Sequence, residues 1–234
     1  MKPTDYNHIT VIGFDADDTL WVNENYFREG EQRLTEILAP YETANTILQQ
    51  AFRVQIDNLP IYGYGIKGFV LSMVETALQL SNYQISPEEI EKIVQIGKDM
   101  LHKPVILLDG VEKVLKKLEP DYRLLMLTKG DLLDQERKLA KTDLDKYFHH
   151  VEVLSEKKEH NYQHLLDHLD IKNEEFLMVG NSLKSDVLPL INMGAQAVHI
   201  PYHTTWEHEQ VKDIDDRLYE TLATIKELPA LLGY

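Results

Sequence analysis

The chain of 234 residues contains no cysteine. That absence excludes a disulfide framework, a thiolate nucleophile and any zinc or iron–sulfur centre built on sulfur. Long apolar runs are missing too. No stretch approaches the roughly 18 uninterrupted apolar residues of a membrane-spanning helix. The opening MKPTDYNHIT lacks the apolar segment of a signal peptide, so a reducing cytoplasm is the default expectation. Positive charge is scarce: 24 Lys and Arg stand against 39 Asp and Glu, a net charge of −15. Such a balance argues against non-specific binding to nucleic acid or to an anionic membrane surface. Internal repeats and low-complexity segments are absent as well. What remains is 43% hydrophobic and 27% charged, the balance of an ordinary globular protein. The length suits one sizeable domain, or one domain carrying a smaller insert.

Residues 9–14, ITVIGF, read as a short buried strand. Residues 23–58 have apolar side chains at helical spacing, with Leu34, Ile37, Leu38, Ile47, Leu48 and Phe52 as examples. NLPIYGYGIKGF at 58–69 holds one proline and three glycines and predicts a loop between helices. Helical patterns return at 69–81 and 87–101. The second of these opens on SPEE, with Ser86 at the N-cap, Pro87 at N1 and Glu89 at N3. From Gly110 onward the pattern alternates. Helices are expected at 110–118, 131–141, 161–169, 184–193 and 215–228, and strands at 122–128, 150–154, 175–180 and 195–201. Alternation predicts an α/β fold: a doubly wound, Rossmann-like parallel sheet with helices on both faces. The helical block after the first strand is too long for a crossover. It predicts an inserted helical domain over 22–102, with residues 1–21 and 103–234 forming the α/β core.

In such a sheet ligands bind beyond the carboxyl ends of the strands. The first strand runs into VIGFDADDTLW, so Asp15, Asp17, Asp18 and Thr19 come after it. The second delivers Thr128 and Lys129, the third Ser155, Lys157 and Lys158, and the fourth Asn181, Ser182, Ser185 and Asp186. Separate strands thus bring carboxylates, a hydroxyl and a lysine to one rim. The set fits phosphoryl transfer to an aspartate. A carboxylate is a weak nucleophile toward a phosphate, and Mg²⁺ offsets the repulsion between them. Mg²⁺ takes octahedral oxygen ligands and retains waters; Asp15, the main-chain carbonyl of Asp17 and Asp186 would suffice. The Asp17 carboxyl is spaced to protonate the leaving oxygen and then to activate water. Thr128 and Lys157 would hold phosphate oxygens, with Lys129 and Asn181 beside them. Net negative charge does not exclude a phosphorylated substrate, because a bound cation inverts the local field.

The same residues resemble the four motifs of the haloacid dehalogenase superfamily, in its Mg²⁺-dependent phosphatase branch. FDADDTL is similar to its first motif, LLMLTKG to the second, LSEKKEHNY to the third and MVGNSLKSD to the fourth, in family order across residues 9–200. The resemblance implies Asp15 as a nucleophile that forms an aspartyl-phosphate and Asp17 as general acid/base. It further implies Thr128 as a phosphate ligand, Lys157 (with Lys158 as alternative) as the steadying cation and Asp186 as a Mg²⁺ ligand. It implies a small phosphorylated metabolite as substrate, and a helical cap inserted between the first two motifs. Two departures stand out: Asn181 replaces the usual aspartate of the fourth motif, and the third motif lacks the proline that often follows its lysine.

Each reading has a plainer competitor. Asp15 and Asp17 would otherwise belong to a solvated loop, and Asp18 is better suited to capping the next helix. In the expected cap loop, Tyr62, Tyr64 and Lys67 are placed to face a substrate, or else to pack a turn. His203, Trp206 and His208 come after the fifth strand; local packing fits them better than a zinc site. Haloacid dehalogenation, a phosphomutase reaction, phosphonate cleavage through Lys67 and a purely binding role are the alternatives. No segment marks an interface, so the sequence sets no oligomeric state.

Overall fold

The computed structural model describes residues 5–211 and 215–234, which divide into two compact units. The first comprises residues 1–24, 105–129 and 135–234; the second comprises 25–104 with 130–134. Among the described residues no helix is long and apolar enough to cross a membrane.

The first unit is built on a six-stranded parallel sheet. Its strands are β1 (Val11–Phe14), β2 (Arg123–Lys129), β3 (His150–Leu154), β4 (Phe176–Gly180), β5 (Gln196–His199) and β6 (Glu220–Thr221), in the order β3-β2-β1-β4-β5-β6. β1 lies between β2 and β4, with Phe14 level with Met126 on one side and Val179 on the other. Alternate side chains serve opposite faces. Ile12, Phe14, Leu124, Met126, Leu177 and Val179 pack with Val111, Val114, Leu115 and Leu118 of α5 (Val111–Leu118). Val11, Leu125, Leu127, Phe176 and Met178 pack with Tyr162, Leu165 and Leu166 of α7 (Glu159–His168). Burial on both faces explains why these strands read as apolar runs rather than alternating ones.

The second unit contains α1 (Glu24–Leu38), α2 (Ala44–Tyr62), α3 (Ile66–Leu80) and α4 (Pro87–His102), apart from Glu24 itself. Leu34, Leu38, Ile47, Phe69, Met73, Ile93, Ile96 and Met100 form its core. α4 begins with the capping box read from SPEE: Ser86 Oγ accepts from the Glu89 amide, and Glu89 accepts from the Ser86 amide.

Three expectations need correcting. The helical stretch over 23–58 divides into two helices, interrupted at 39–43, where Pro40 intervenes and Thr43 caps α2. The loop expected at 58–69 is mostly helix, because α2 runs through Pro60 to Tyr62. Pro60 falls in the last turn and forgoes only its own amide bond, while the Gly63 amide still donates to Leu59 O at 2.9 Å and closes the helix. Asn58, buried, also ties α2 to α3 through Ser72 Oγ at 3.2 Å. Finally, the helix expected at 215–228 is instead a 3₁₀ turn at Asp216–Leu218, strand β6, a second 3₁₀ turn at Ile225–Glu227 and α9 (Leu228–Leu231). Tyr219, Leu222, Ile225 and Leu228 recur every three residues and are all buried, which imitates a helix face. The edge of β5 captures the backbone instead: the Leu222 amide donates to His199 O at 2.9 Å.

Candidate active site

β1 ends at Phe14, and the next residue carries the chain over the carboxyl edge of the sheet. The Asp15 amide still donates to Val179 O of β4 at 2.9 Å, so the strand ladder fixes where Asp15 sits. Its side chain is 10% exposed and meets the Lys157 ammonium at 2.5 Å, Nζ to Oδ1. The same ammonium reaches Asp186 Oδ1 at 2.7 Å, and both of those side chains are 1% exposed. Lys157 thus bridges two buried carboxylates from opposite ends of the chain. Lys158 does not enter this cluster; it is exposed and sits at the N-terminus of α7.

The electrostatics follow from burial. It pushes the Asp15 carboxyl up from 3.8 to about 7, against the pull of Lys157, while the charges of Asp186 and Asp17 add to the rise. Burial alone would pull Lys157 down, but Asp15 and Asp186 outweigh it and hold the ammonium well above its usual range. The cation between the carboxylates therefore stays charged.

Further groups complete the Asp15 surroundings. Thr19 Oγ1 donates to Asp15 Oδ2 at 3.1 Å. An amide's oxygen and nitrogen are assigned from their partners. The Asn181 side chain is satisfied with its nitrogen donating to Asp15 Oδ2 and to Asp17 O, both at 3.2 Å. Asp186 turns back to accept from the Ser182 amide at 3.0 Å. Its carboxylate occupies the space where a Gly180 Cβ would stand, within 2.3 Å, so no larger residue fits there without displacing it. A single π-turn over Leu183–Val187 precedes α8 (Leu188–Asn192) where one regular helix was expected. Tyr162, buried below, donates to Ser185 O at 3.0 Å and supports that turn.

Asp17 points elsewhere. Its Oδ1 accepts from Trp21 Nε1 at 2.7 Å and from Lys138 Nζ at 2.8 Å, and its Oδ2 accepts from Gln135 Nε2 at 2.8 Å. Asp18 has a separate task. It adopts a positive φ of 63° and accepts from the amides of Asn23 and Glu24, capping the start of α1. Burial raises its carboxyl to about 7, opposed by those amides.

Thr128 is buried at the end of β2, its hydroxyl donating to Lys129 O at 3.2 Å. The Lys129 ammonium contacts Ser185 Oγ at 2.9 Å and Glu209 Oε1 at 2.7 Å. Glu209 Oε2 in turn accepts from Ser182 and Ser185 at 2.5 and 2.6 Å. Burial would push Glu209 up, but Lys129 and the two serines hold it at about 2. Tyr62, Tyr64 and Lys67 belong to the helical unit. There Tyr62 donates to Glu75 at 2.8 Å, and Lys67 pairs with Asp131 at 2.9 Å. His203 packs on Tyr202, and His208 on Trp206 with Lys184 at 3.1 Å, in keeping with local packing.

The sequence profile described as haloacid dehalogenase-like hydrolase matches residues 9–194. The chain belongs to that family. It is similar to glyceraldehyde 3-phosphate phosphatase of Pyrococcus furiosus, with 31% identity over 96% of this chain and 92% of that protein. It is also similar to mouse N-acylneuraminate-9-phosphatase, with 24% identity over 97% of this chain and 94% of that protein. A crystal structure of a haloacid dehalogenase-like family hydrolase from Xanthomonas campestris aligns with a TM-score of 0.86 and 35% identity. That alignment covers 98% of this chain and 94% of the other.

Within this hydrolase, sequence reasoning missed the groups around Asp17 and Lys129. Gln135 and Lys138 lie three residues apart on α6 (Leu132–Ala140), a spacing that puts them on one face. That spacing was the available signal. Glu209 had none, because it stands in a short 3₁₀ turn at Glu207–Glu209 within an aperiodic stretch.

Proposed function

We propose that this hydrolase is a Mg²⁺-dependent phosphatase acting on a small phosphomonoester through an aspartyl-phosphate on Asp15. The observation that carries this is Lys157, bridging Asp15 and Asp186 at the carboxyl edge of the sheet. The phosphatase names of the two relatives support the reaction class.

The donor set fits the metal. Asp15 Oδ2 and Asp17 O both lie 3.2 Å from the Asn181 amide nitrogen, and Asp186 shares Lys157 with Asp15. These are oxygen donors, which a hard cation prefers. Asp15, the Asp17 carbonyl and Asp186 would hold Mg²⁺, with Asn181 contributing no charge. Bound there, the ion would supply charge neutralisation between nucleophile and phosphate.

The chain's own residues do the rest. The ladder bond to Val179 and the bond from Thr19 aim the Asp15 carboxylate. One of its oxygens attacks phosphorus while the ester P–O bond breaks. Asp17 gives its proton to the departing oxygen, then takes one from the water that cleaves the acyl phosphate, regenerating Asp15 and releasing phosphate. Lys157 and Thr128 hold phosphate oxygens as charge redistributes. Residues 25–104 act as the cap that chooses the substrate, with Tyr62, Tyr64 and Lys67 as its candidate contacts. A diffusible metabolite in the cytoplasm completes the reading.

The test is hydrolysis of p-nitrophenyl phosphate by purified protein. Activity should require Mg²⁺, vanish on chelation and be abolished by Asp15→Asn. Turnover that survives Asp15→Asn would sink the mechanism.

A further inference from the structure

Asp17 is held by three donors, and two of them come from α6. Lys138 Nζ contacts Asp17 Oδ1 at 2.8 Å and Asn23 Oδ1 at 2.8 Å. Gln135 Nε2 contacts Asp17 Oδ2 at 2.8 Å and the main-chain oxygen of Lys129 at 2.8 Å. Trp21, fully buried, supplies the third through its indole N–H. Both carboxylate oxygens are therefore engaged from fixed directions. Gln135 is 2% exposed, and among the described residues its buried carbonyl oxygen meets no donor. The amide's two N–H bonds are spent on Asp17 and on the backbone just past Thr128. That geometry aligns the carboxyl of Asp17 with the strand end carrying the phosphate-binding hydroxyl.

We propose that Gln135 and Lys138 are positioning residues for the proton transfers of Asp17, and that they govern turnover of esters whose leaving oxygen must be protonated. The proposal rests on the reading of Asp17 as the general acid. In the first step the ester oxygen departs from phosphorus, Asp15 takes the phosphoryl group, and the Asp17 carboxyl passes its proton to that oxygen. An alkoxide leaves poorly without that proton, whereas a nitrophenolate leaves readily as an anion. Misdirecting Asp17 thus penalises alkyl esters and spares aryl esters by comparison. kcat/KM reports events only through formation of the acyl phosphate, so the common second step cancels from the comparison.

The experiment compares kcat/KM for benzyl phosphate and p-nitrophenyl phosphate, esters of similar size, with Mg²⁺ present. Lys138→Met keeps an apolar stem without the ammonium, and Gln135→Met does the same for the amide. Loss of one charge-assisted bond should lower the benzyl-to-nitrophenyl ratio about 10- to 100-fold in Lys138→Met. Gln135→Met should lower it by about 10-fold, and Lys138→Arg should restore much of the ratio. Asp17→Asn serves as the reference and should lower the ratio by about 10²–10⁴. If both esters fall equally in Lys138→Met and Gln135→Met while Asp17→Asn is selective, the positioning role is wrong and the acid role stands. If Asp17→Asn is itself unselective, the acid role fails and takes the positioning role with it. A wild-type enzyme that hydrolyses only the aryl ester overturns the proposal too, since Asp17 would then have no acid assistance to give. A variant that misfolds lowers both rates together, and the second variant decides.

Discussion

Removing Lys157 puts the electrostatic reading under the most direct strain. Lys157→Met keeps much of the stem and deletes the charge, leaving Asp15 and Asp186 buried without their shared counter-ion. Taking one partner from a buried ion pair costs about 3–5 kcal/mol. For a chain of this size each kcal/mol lowers the melting temperature by about 2–4 °C, so a fall of roughly 6–20 °C is expected. The loss should depend on pH in a definite direction. Asp15 already lies at about 7 because burial outweighs the pull of Lys157, and deleting the lysine removes that pull. A carboxyl raised above its unfolded value of 3.8 binds its proton more tightly in the folded state. Such a carboxyl costs stability from its unfolded value upward, and the cost levels off above its folded one; the lysine shifts only the folded value, so the extra cost of losing it appears above about 7. The deficit of the variant should be small near about pH 5, where Asp15 is protonated with or without the lysine, and should increase through about pH 9, above the wild-type value. The two tryptophans, Trp21 and Trp206, both lie in the α/β unit, so fluorescence melts with chelator present report on that unit. An equal deficit at both pH values, or a larger one at the lower pH, would refute the reasoning.

Glu209→Gln removes a carboxylate held at about 2 instead of 4.5, a stabilisation of roughly 3 kcal/mol. Because that group is depressed, its contribution is present above its unfolded value and fades as pH falls toward the folded one. Wild type and variant should differ most at neutral pH and converge in acid; a gap that widens in acid contradicts the pairing. Gly180→Ala places a Cβ within 2.3 Å of the Asp186 carboxylate, which must then swing away. Mg²⁺ should activate this variant only at raised concentration, with kcat/KM down by about 10-fold or more; wild-type kinetics would show that Asp186 has no fixed place. Together with Asp15→Asn and the Lys138 series, these probe Asp15, Lys157, Asp186 and Asp17 in turn.

Much of the frame was legible because buried parallel strands leave a plain mark. ITVIGF, YRLLMLT and EFLMVG are apolar throughout, since each faces helices on both sides. Asp15, Lys157 and Asp186 were legible for a related reason: each lies just past the end of a strand, and the carboxyl edge of the sheet gathers such residues. Where tertiary context overrode local pattern, reading failed. Pro60 looked like a break yet sits in a last helical turn, and the three-residue repeat from Tyr219 to Leu228 imitated a helix while the β5 edge claimed its backbone. The partners of Asp17 were illegible for another reason. Gln135 and Lys138 look like the polar face of any amphipathic helix, and only the fold turns that face toward Asp17.

The charges of the site have one further consequence for its chemistry. Lys157 is shared by Asp15 and Asp186, Lys138 is paired with Asp17, and Lys129 with Glu209. Each of these three cations is already matched by a carboxylate. A phosphate group approaching Asp15 brings more negative charge to a cluster whose ammonium is divided between two acids. At an effective dielectric of about 20, unit charges about 4 Å apart repel by roughly 4 kcal/mol, and the phosphate would face more than one of them. Surface lysines cannot offset this from a distance, because solvent and salt screen them. A divalent cation held by Asp15, the Asp17 carbonyl and Asp186, as proposed above, would supply the missing charge at that point. The neutral Asn181 obeys the same logic: with its amide nitrogen on Asp15 Oδ2 and Asp17 O, it adds a donor to a crowded anionic spot where an aspartate would add another charge.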